Sequence, residues 1–94
     1  MKLFVTGGSG FLGSNFIQYA LSQSDKITIN ALSRSSITDE LILKTVRNIE
    51  KGHERVRLIR GHINDENPLK EGLDGAKVVI HMAAKVSISL KIAY

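Results

Sequence analysis

The sequence predicts an α/β fold built on a parallel sheet of about four strands. Short apolar stretches of strand length alternate with helical patterns along all 94 residues. The first stretch, Lys2–Thr6, is apolar at its centre, which is typical of a strand buried on both faces of a parallel sheet. No hairpin signal such as Asn-Gly lies between consecutive strands, which disfavours the alternative, an α+β ferredoxin-like fold.

The amino-terminal half predicts two strands and two helices. Apolar residues recur at helical spacing between Phe11 and Leu21, and Ile27–Leu32 predicts the second strand. The polar segment Ser33–Ser36 predicts a loop that ends in a capping box formed by Ser36 and Asp39. The helix that follows should bury one apolar stripe and end at a glycine; these residues are Ile42, Val46, Ile49 and Gly52.

The carboxyl-terminal half continues the alternation. Val56–Arg60 predicts a third strand, and Asp65 is expected to cap a short helix with Pro68 in its first turn. Lys77–His81 predicts a fourth strand, which runs into a loop at Met82–Ala84. Right-handed crossovers between such strands predict the sheet order 3-2-1-4.

Composition excludes several functional classes. The chain is 43% hydrophobic and 23% charged, as in ordinary globular proteins. The absence of cysteine excludes a disulfide framework, a thiolate metal site and a cysteine nucleophile, and it fits a cytoplasmic location. No apolar run approaches the roughly 20 residues of a membrane span. His53, His62 and His81 share no metal-ligand spacing, so no metal site is expected, and His81 is expected to be a structural, hydrogen-bonded residue.

The net charge of +4 is concentrated in one segment. Glu50 and Glu54 are the only acidic residues between positions 44 and 60, where they face six basic ones: Lys44, Arg47, Lys51, Arg55, Arg57 and Arg60. The simplest interpretation is a solvated helix end and strand edge, and the alternatives are a bound phosphate or a nucleic acid. No aromatic residue lies between Tyr19 and Tyr94, so stacking on bases, and nucleic-acid binding with it, is not expected.

A glycine-rich turn, Thr6–Gly13, joins the first strand to the first helix. Gly7 should let the chain turn off the strand, Gly10 should let a pyrophosphate approach the backbone, and Gly13 should let the helix lie close to the sheet. In this context the turn predicts a dinucleotide site at the positive end of the helix. A phosphate-binding P-loop is disfavoured because Ser14-Asn15 stands where Lys-Ser/Thr would be required.

The residues after the second strand bear on which dinucleotide is bound. An acidic residue is expected here in a protein that binds the ribose of NAD, but no Asp or Glu lies between Lys26 and Thr38. Ser33 and Arg34 stand there instead, and an arginine can pair with the 2′-phosphate of NADP. The sequence therefore predicts NADP, with NAD as the alternative and an exposed loop charge as the simpler interpretation of Arg34.

The motifs resemble those of the extended short-chain dehydrogenase/reductase family, of the NAD-dependent epimerase/dehydratase type. The glycine turn matches, His81–Ala84 is similar to the family's His-x-Ala-Ala loop, and Gly61–Asp65 is similar to its Gly-Asp-Leu/Ile-x-Asp stretch. The resemblance covers the whole chain. It implies a Rossmann-like three-layer fold, with residues 1–94 forming the amino-terminal part of an NAD(P)-binding domain and no substrate domain present.

The resemblance also implies roles for particular residues. His62 stands where the family usually has an aspartate that accepts from the adenine amino group, and Ile63 would contact the adenine. Ala83 and Ala84 would lie behind the ribose on the nicotinamide side. The residues implied to line the pyrophosphate are Gly7, Gly10, Phe11, Leu12 and Gly13.

The family's catalytic pair, Tyr-x-x-x-Lys, has no match in this chain, because Gln23 follows Tyr19 at that spacing and Tyr94 is the last residue. We therefore expect the cofactor-binding part of a longer enzyme or a truncated relative. The implied enzyme would be an oxidoreductase, epimerase or dehydratase acting on a carbonyl, hydroxyl or sugar-nucleotide substrate. The alternatives are a dinucleotide-binding module without catalysis and, less favoured, a small basic nucleic-acid-binding protein.

Overall fold

The computed structural model describes residues 1–82 and the backbone of 91–93. Five strands form one sheet in the order β3-β2-β1-β4-β5. The first four strands are parallel and β5 is antiparallel to β4. Four helices accompany them in the described residues. The elements in chain order are β1 (Lys2–Thr6), α1 (Phe11–Gln23), β2 (Thr28–Ser33), α2 (Ser36–Thr45), α3 (Gly52–Arg55), β3 (Val56–Arg60), α4 (Glu66–Leu73), β4 (Val78–His81) and β5 (Lys91–Ala93).

The architecture confirms the predicted fold class and the order 3-2-1-4. Alternate residues of β1 point to opposite faces of the sheet, so Phe4 packs on one side and Val5 on the other. The larger core lies under α1 and α2, and a smaller one around Phe4 lies under α4. The three layers of a Rossmann-like fold follow from this two-sided burial.

Helix α4 is held on the sheet by one glycine and one buried amide. A Cβ at Gly72 would overlap the ring of Phe4, so the helix backbone rests directly on the aromatic side chain. The buried Asn30 of β2 donates from Nδ2 to the carbonyl oxygen of Gly72 over 3.0 Å. The bond satisfies a polar group that would be costly to bury alone.

Two predictions about α2 are corrected. The predicted capping box is displaced by one residue, because Ser35 is the N-cap and its Oγ accepts from the amide of Thr38 over 3.2 Å. The helix does not run on to Gly52 but ends at Thr45, whose carbonyl oxygen accepts from Nε2 of Gln18 on α1 over 2.9 Å. Gly52 instead begins the four-residue helix α3.

The other predicted element boundaries lie closer to the observed ones. Ser33 belongs to β2 rather than to the loop after it. Asp65 is the N-cap of α4, but its carboxylate makes no capping bond and accepts from the backbone amide of His62 over 2.9 Å. The antiparallel edge strand β5 is an addition to the four predicted strands. None of the helices in the described part of the chain is long and apolar enough to cross a membrane.

Candidate functional site

A cleft of about 210 Å³ opens where the carboxyl ends of the four parallel strands meet. This edge of a parallel sheet is the usual position of a ligand in an open α/β fold. The glycine turn after β1 forms one wall, and the residues that follow β2, β3 and β4 form the rest. The lining residues are Thr6, Gly7, Ser9, Gly10, Leu32, Arg34, Thr38, His62, Ile63, His81 and Met82.

Gly7 and Gly13 are required by the protein's own packing. Gly7 has a φ of +73°, and a Cβ there would overlap the carbonyl oxygen of Met82. A Cβ at Gly13 would overlap the carbonyl oxygen of Gly7, so α1 can approach the turn only with glycine at this position. These two glycines shape the cleft from behind, as the predicted close turn and close helix packing require.

Gly10 differs from the other two glycines. Its φ of −74° and ψ of 172° are extended values that any residue can adopt. A Cβ built there would meet only the carbonyl oxygen of Gly7, at an ordinary contact distance of 3.5 Å. The fold itself gives no reason for glycine at this position. The free space in front of Gly10 therefore fits a ligand that approaches the backbone closely.

The start of α1 faces the same space with unpaired donors. No side chain caps this helix, and its first turn contains no acidic residue. Among the described residues, the amides of Phe11, Leu12 and Gly13 have no acceptor. Such amides, together with the positive end of the helix dipole, favour an anion. The open position at Gly10 and the uncapped helix start together fit a dinucleotide pyrophosphate.

Thr6 and His81 close the floor of the cleft between β1 and β4. The Oγ1 of Thr6 and the Nδ1 of His81 are joined by a short hydrogen bond, and the two residues are paired in the strand register. His81 is therefore hydrogen-bonded within the sheet, as its position at a strand end predicted. The contact fixes the ring at the edge of the cleft.

The end of β2 supplies the cation of the cleft. Arg34 is exposed, lines the cleft beside Thr38, and has no carboxylate partner within the part of the chain that the structure describes. Ser33 lies immediately before it but is fully buried and does not line the cleft. Its hydroxyl donates to Oδ1 of Asp39 and lies 3.2 Å from the carbonyl oxygen of Ser35.

Asp39 ties the ends of two strands to the start of α2. Its carboxylate accepts from Ser33 at the end of β2 and pairs with the guanidinium of Arg60 at the end of β3. The Ser33 hydrogen bond and, after it, the Arg60 charge hold the pKa of Asp39 below its usual range, while burial opposes the shift. Asp39 does not line the cleft, whereas Arg34 does. Among the described residues, Arg34 is therefore the charged group at this end of the cleft.

The end of β3 supplies His62 and Ile63, and both line the cleft. The Nδ1 of His62 accepts from the backbone amide of Asn64 over 3.2 Å. The carbonyl oxygen of His62 accepts from the amide of Asp65 over 2.9 Å. These bonds fix the loop so that the imidazole and the exposed Ile63 side chain stand at the outer end of the cleft.

The structure brings together five of the residues predicted from sequence: Gly7, Gly10, Arg34, His62 and Ile63 line one cleft. Phe11, Leu12 and Gly13 do not line it but form the first turn of α1, where their amides have no acceptor among the described residues. Ala83 and Ala84 lie outside the described residues, and no group of three or more His, Asp or Glu able to hold a metal is found within those residues. Sequence reasoning did not predict the other six lining residues: Thr6, Ser9, Leu32, Thr38, His81 and Met82.

Four of these six residues share a recognisable position. Thr6, Leu32, His81 and Met82 lie at or next to the last residue of a parallel strand, and strand ends of this kind meet at one edge of the sheet. That rule would have found them from the predicted strands. Thr38 has no comparable signal, because it reaches the cleft from the first turn of α2.

A sequence model of the 3-beta hydroxysteroid dehydrogenase/isomerase family matches residues 4–93. The chain belongs to this family. The match confirms the resemblance to the NAD-dependent epimerase/dehydratase type of extended short-chain dehydrogenases/reductases that the motifs had predicted. The match runs from the middle of β1 through the glycine turn to the end of β5.

Two curated relatives resemble this family member along part of their length. The low-salt glycan biosynthesis protein Agl12 of Haloferax volcanii is 32% identical over 94 residues, which cover 98% of this chain and 28% of the relative. The CDP-paratose 2-epimerase of Salmonella typhi is 49% identical over 59 residues, 61% of this chain and 18% of the relative. The chain thus spans less than a third of the relatives it matches.

One solved structure shows the same architecture with a cofactor. The dTDP-glucose 4,6-dehydratase of Bacillus anthracis, solved in complex with NAD, superposes with a TM-score of 0.71 at 28% identity. The superposition covers 90% of this chain and 27% of the dehydratase. The family member described here therefore corresponds in fold to a quarter of an enzyme that holds a dinucleotide.

Proposed function

We propose that this chain is the dinucleotide-binding portion of an extended short-chain dehydrogenase/reductase that acts as an oxidoreductase, epimerase or dehydratase. The observation that carries the proposal is the combination of Gly10, where a side chain would meet open space, and the uncapped start of α1. The two features offer room and unpaired donors at one point. A pyrophosphate needs both.

The dinucleotide lies along the carboxyl edge of the sheet. Its pyrophosphate sits at the amides of Phe11 and Leu12, which have no acceptor among the described residues. The adenosine ribose then lies beyond the end of β2, and the base beyond the end of β3, because the sheet order places these ends in succession. The nicotinamide half extends the other way, past Met82 at the end of β4.

NADP is the cofactor we propose, with NAD as the alternative. Arg34 is a free cation at the ribose position, and no carboxylate lines this part of the cleft in the described residues. A guanidinium can form charge-assisted hydrogen bonds to a 2′-phosphate. The dehydratase of similar fold was solved with NAD, so the proposal of NADP rests on Arg34 of this chain alone.

Support for a substrate class comes from the relatives rather than from the cleft. A CDP-paratose epimerase and a dTDP-glucose dehydratase are both named for sugar nucleotides, which supports a substrate of this kind for the full enzyme. When bound, the nicotinamide supplies a hydride acceptor or donor. The residues of this chain hold and orient the cofactor at the edge of the sheet.

Titration of the chain with NADPH and with NADH, followed by nicotinamide fluorescence, tests the proposal. We expect saturable binding of both reduced dinucleotides, with NADPH bound more tightly. The absence of binding by either dinucleotide to a folded chain would overturn the proposed function. Equal affinity for the two would overturn only the assignment of NADP.

A further inference from the structure

An acidic side chain lies behind the wall of the cleft at the proposed position of the adenosine ribose. Arg34 and Thr38 line the cleft there, and Asp39 follows Thr38 in the chain. The carboxylate of Asp39 accepts from the hydroxyl of Ser33, the residue that precedes Arg34. A carboxylate is therefore held next to two cleft-lining segments, although Asp39 is not itself a lining residue.

Arg60, on the neighbouring strand, supplies the opposite charge. Its guanidinium pairs with Oδ2 of Asp39, and Arg60 stands opposite Ser33 in the register of β2 and β3. The backbone strengthens this link, because the amide of Gly61 donates to the carbonyl oxygen of Ser33 over 2.9 Å. Arg60 does not line the cleft either. The pair can therefore influence a ligand in the cleft through its charges and not through contact.

The two dinucleotides respond differently to a charge at this place. NADPH carries a 2′-phosphate with a charge between about −1.5 and −2, whereas NADH has a neutral hydroxyl there. An uncompensated carboxylate behind the wall would repel the phosphate, since the interaction of two charges is screened only over roughly 8 Å at physiological salt. The affinity for NADH would hardly change, because its 2′-hydroxyl carries no charge.

We infer, on the basis of the proposed function, that Arg60 controls the choice of cofactor through Asp39: it cancels the charge of the carboxylate and so permits a 2′-phosphate to bind at Arg34. Arg34 is the group that meets the phosphate, and Arg60 is a positioning residue. A purely structural ion pair would have a different signature. Its loss would weaken both dinucleotides alike, whereas loss of the charge compensation weakens NADPH alone.

A cycle of variants tests the inference through one quantity, the NADH dissociation constant divided by that of NADPH. In Arg60→Gln, which keeps the length of the side chain and removes the charge, we expect this ratio to fall by roughly fivefold with the NADH constant unchanged. In Asp39→Asn the ratio should rise, because the carboxylate is gone and Arg60 remains. In the double variant it should return to the parent value, because both charges are absent.

Two further variants separate this pair from a general effect of charge. Arg60→Lys retains a cation and should retain the parent ratio. Arg57→Gln removes the same charge from the same strand, three residues or about 10 Å away, where Arg57 pairs with Glu71 on the surface. The ratio should not change in Arg57→Gln, and the fall in Arg60→Gln should diminish as salt is added.

The contrary results are equally definite. An unchanged ratio in Arg60→Gln, an equal weakening of both dinucleotides, a ratio that stays low in the double variant, or an equal fall in Arg57→Gln would each overturn the inference. If a folded parent chain binds neither dinucleotide, the proposed function fails and the inference fails with it. If the parent binds both and Arg60→Gln leaves their ratio unchanged, the inference alone is overturned.

Discussion

Arg34 is exposed at the end of β2, and its contribution to binding depends on a phosphate that only one of the two dinucleotides has. Arg34→Ala should weaken the affinity for NADPH by roughly tenfold, which is the low end for the loss of a charge-assisted hydrogen bond, because solvent and salt screen an exposed pair. The affinity for NADH should hardly change. Arg34→Asp should reverse the preference, since it repels the phosphate and offers an acceptor to the ribose hydroxyl.

The ratio of the NADPH and NADH dissociation constants, measured at low and moderate salt, checks this prediction. Arg47→Ala is the matched control, because Arg47 is an exposed arginine just beyond α2 and does not line the cleft. A ratio that Arg34→Ala leaves unchanged would show that this arginine is only a surface charge. The proposed cofactor would then be NAD, or the chain would have no preference between the two dinucleotides.

Asp39 predicts a pH-dependent contribution to stability. Its pKa is lowered in the folded chain, so its contribution is complete above the ordinary pKa of an aspartate, about 3.9, and is lost as the pH falls through the lowered value. Asp39→Asn should cost about 1–2 kcal/mol at pH 7. Urea unfolding should show that the difference in unfolding free energy between the parent chain and Asp39→Asn shrinks as the pH falls below about 4. A difference that is constant with pH would contradict the role of the charge.

At the scale of single residues, the sequence predicted which residues line the cleft better than it predicted their hydrogen-bond partners. Gly7 and Gly10 were predicted from the spacing of the glycine turn, and Arg34 from its position after the second strand, and all three line the cleft. The engagement of Ser33 with Asp39 could not be predicted from the strand pattern. The hydrogen bond from the amide of Asn64 to Nδ1 of His62 was also not predicted, because it depends on how the loop after β3 turns.

The carboxyl end of α1 is held by a side chain from the last residue of α3. The guanidinium of Arg55 donates to the carbonyl oxygens of Leu21, Ser24 and Ile27, which lie at the end of α1 and just before β2. A helix end leaves such carbonyls without partners, and a cation there also meets the negative end of the helix dipole.

Arg55→Ala should therefore destabilise the fold by about 1.5–3 kcal/mol, because it leaves carbonyls of a half-buried segment unsatisfied. Arg57→Ala is the matched control two residues on. Arg57 pairs with Glu71 on the surface, where both side chains are about half exposed at 58% and 48%, so its loss should cost less than about 1 kcal/mol. Chemical unfolding of both variants measures the difference, and equal losses would contradict the capping role.

Prediction of whole elements succeeded where local patterns were sufficient. β3 was predicted with its observed bounds, Val56–Arg60. The end of α2 was not, because Thr45 finds its partner in Gln18, which is 27 residues earlier in the chain. The three-residue strand β5 is too short to carry an alternating pattern, and its pairing with β4 is non-local.

The whole molecule places four strand ends at one edge, and the cleft follows from that arrangement. Sheet order and three-layer packing were predictable because strand–helix alternation and right-handed crossovers leave few topologies. The shape of the cleft was not predictable in detail, because it depends on contacts between distant segments, such as Gly7 against Met82. We propose that a pyrophosphate lies between Gly10 and the start of α1.

Calorimetric titration of Gly10→Val with NADPH tests this position of the pyrophosphate. Valine can adopt the extended backbone angles of Gly10 and would meet no atom of the protein closer than 3.5 Å at its Cβ, so circular dichroism should show an intact fold. Its branched side chain would occupy the space that the pyrophosphate requires. Gly10→Ala should give an intermediate loss. We expect a folded Gly10→Val chain without measurable NADPH binding, and a folded variant with unchanged affinity would contradict the proposed position of the pyrophosphate.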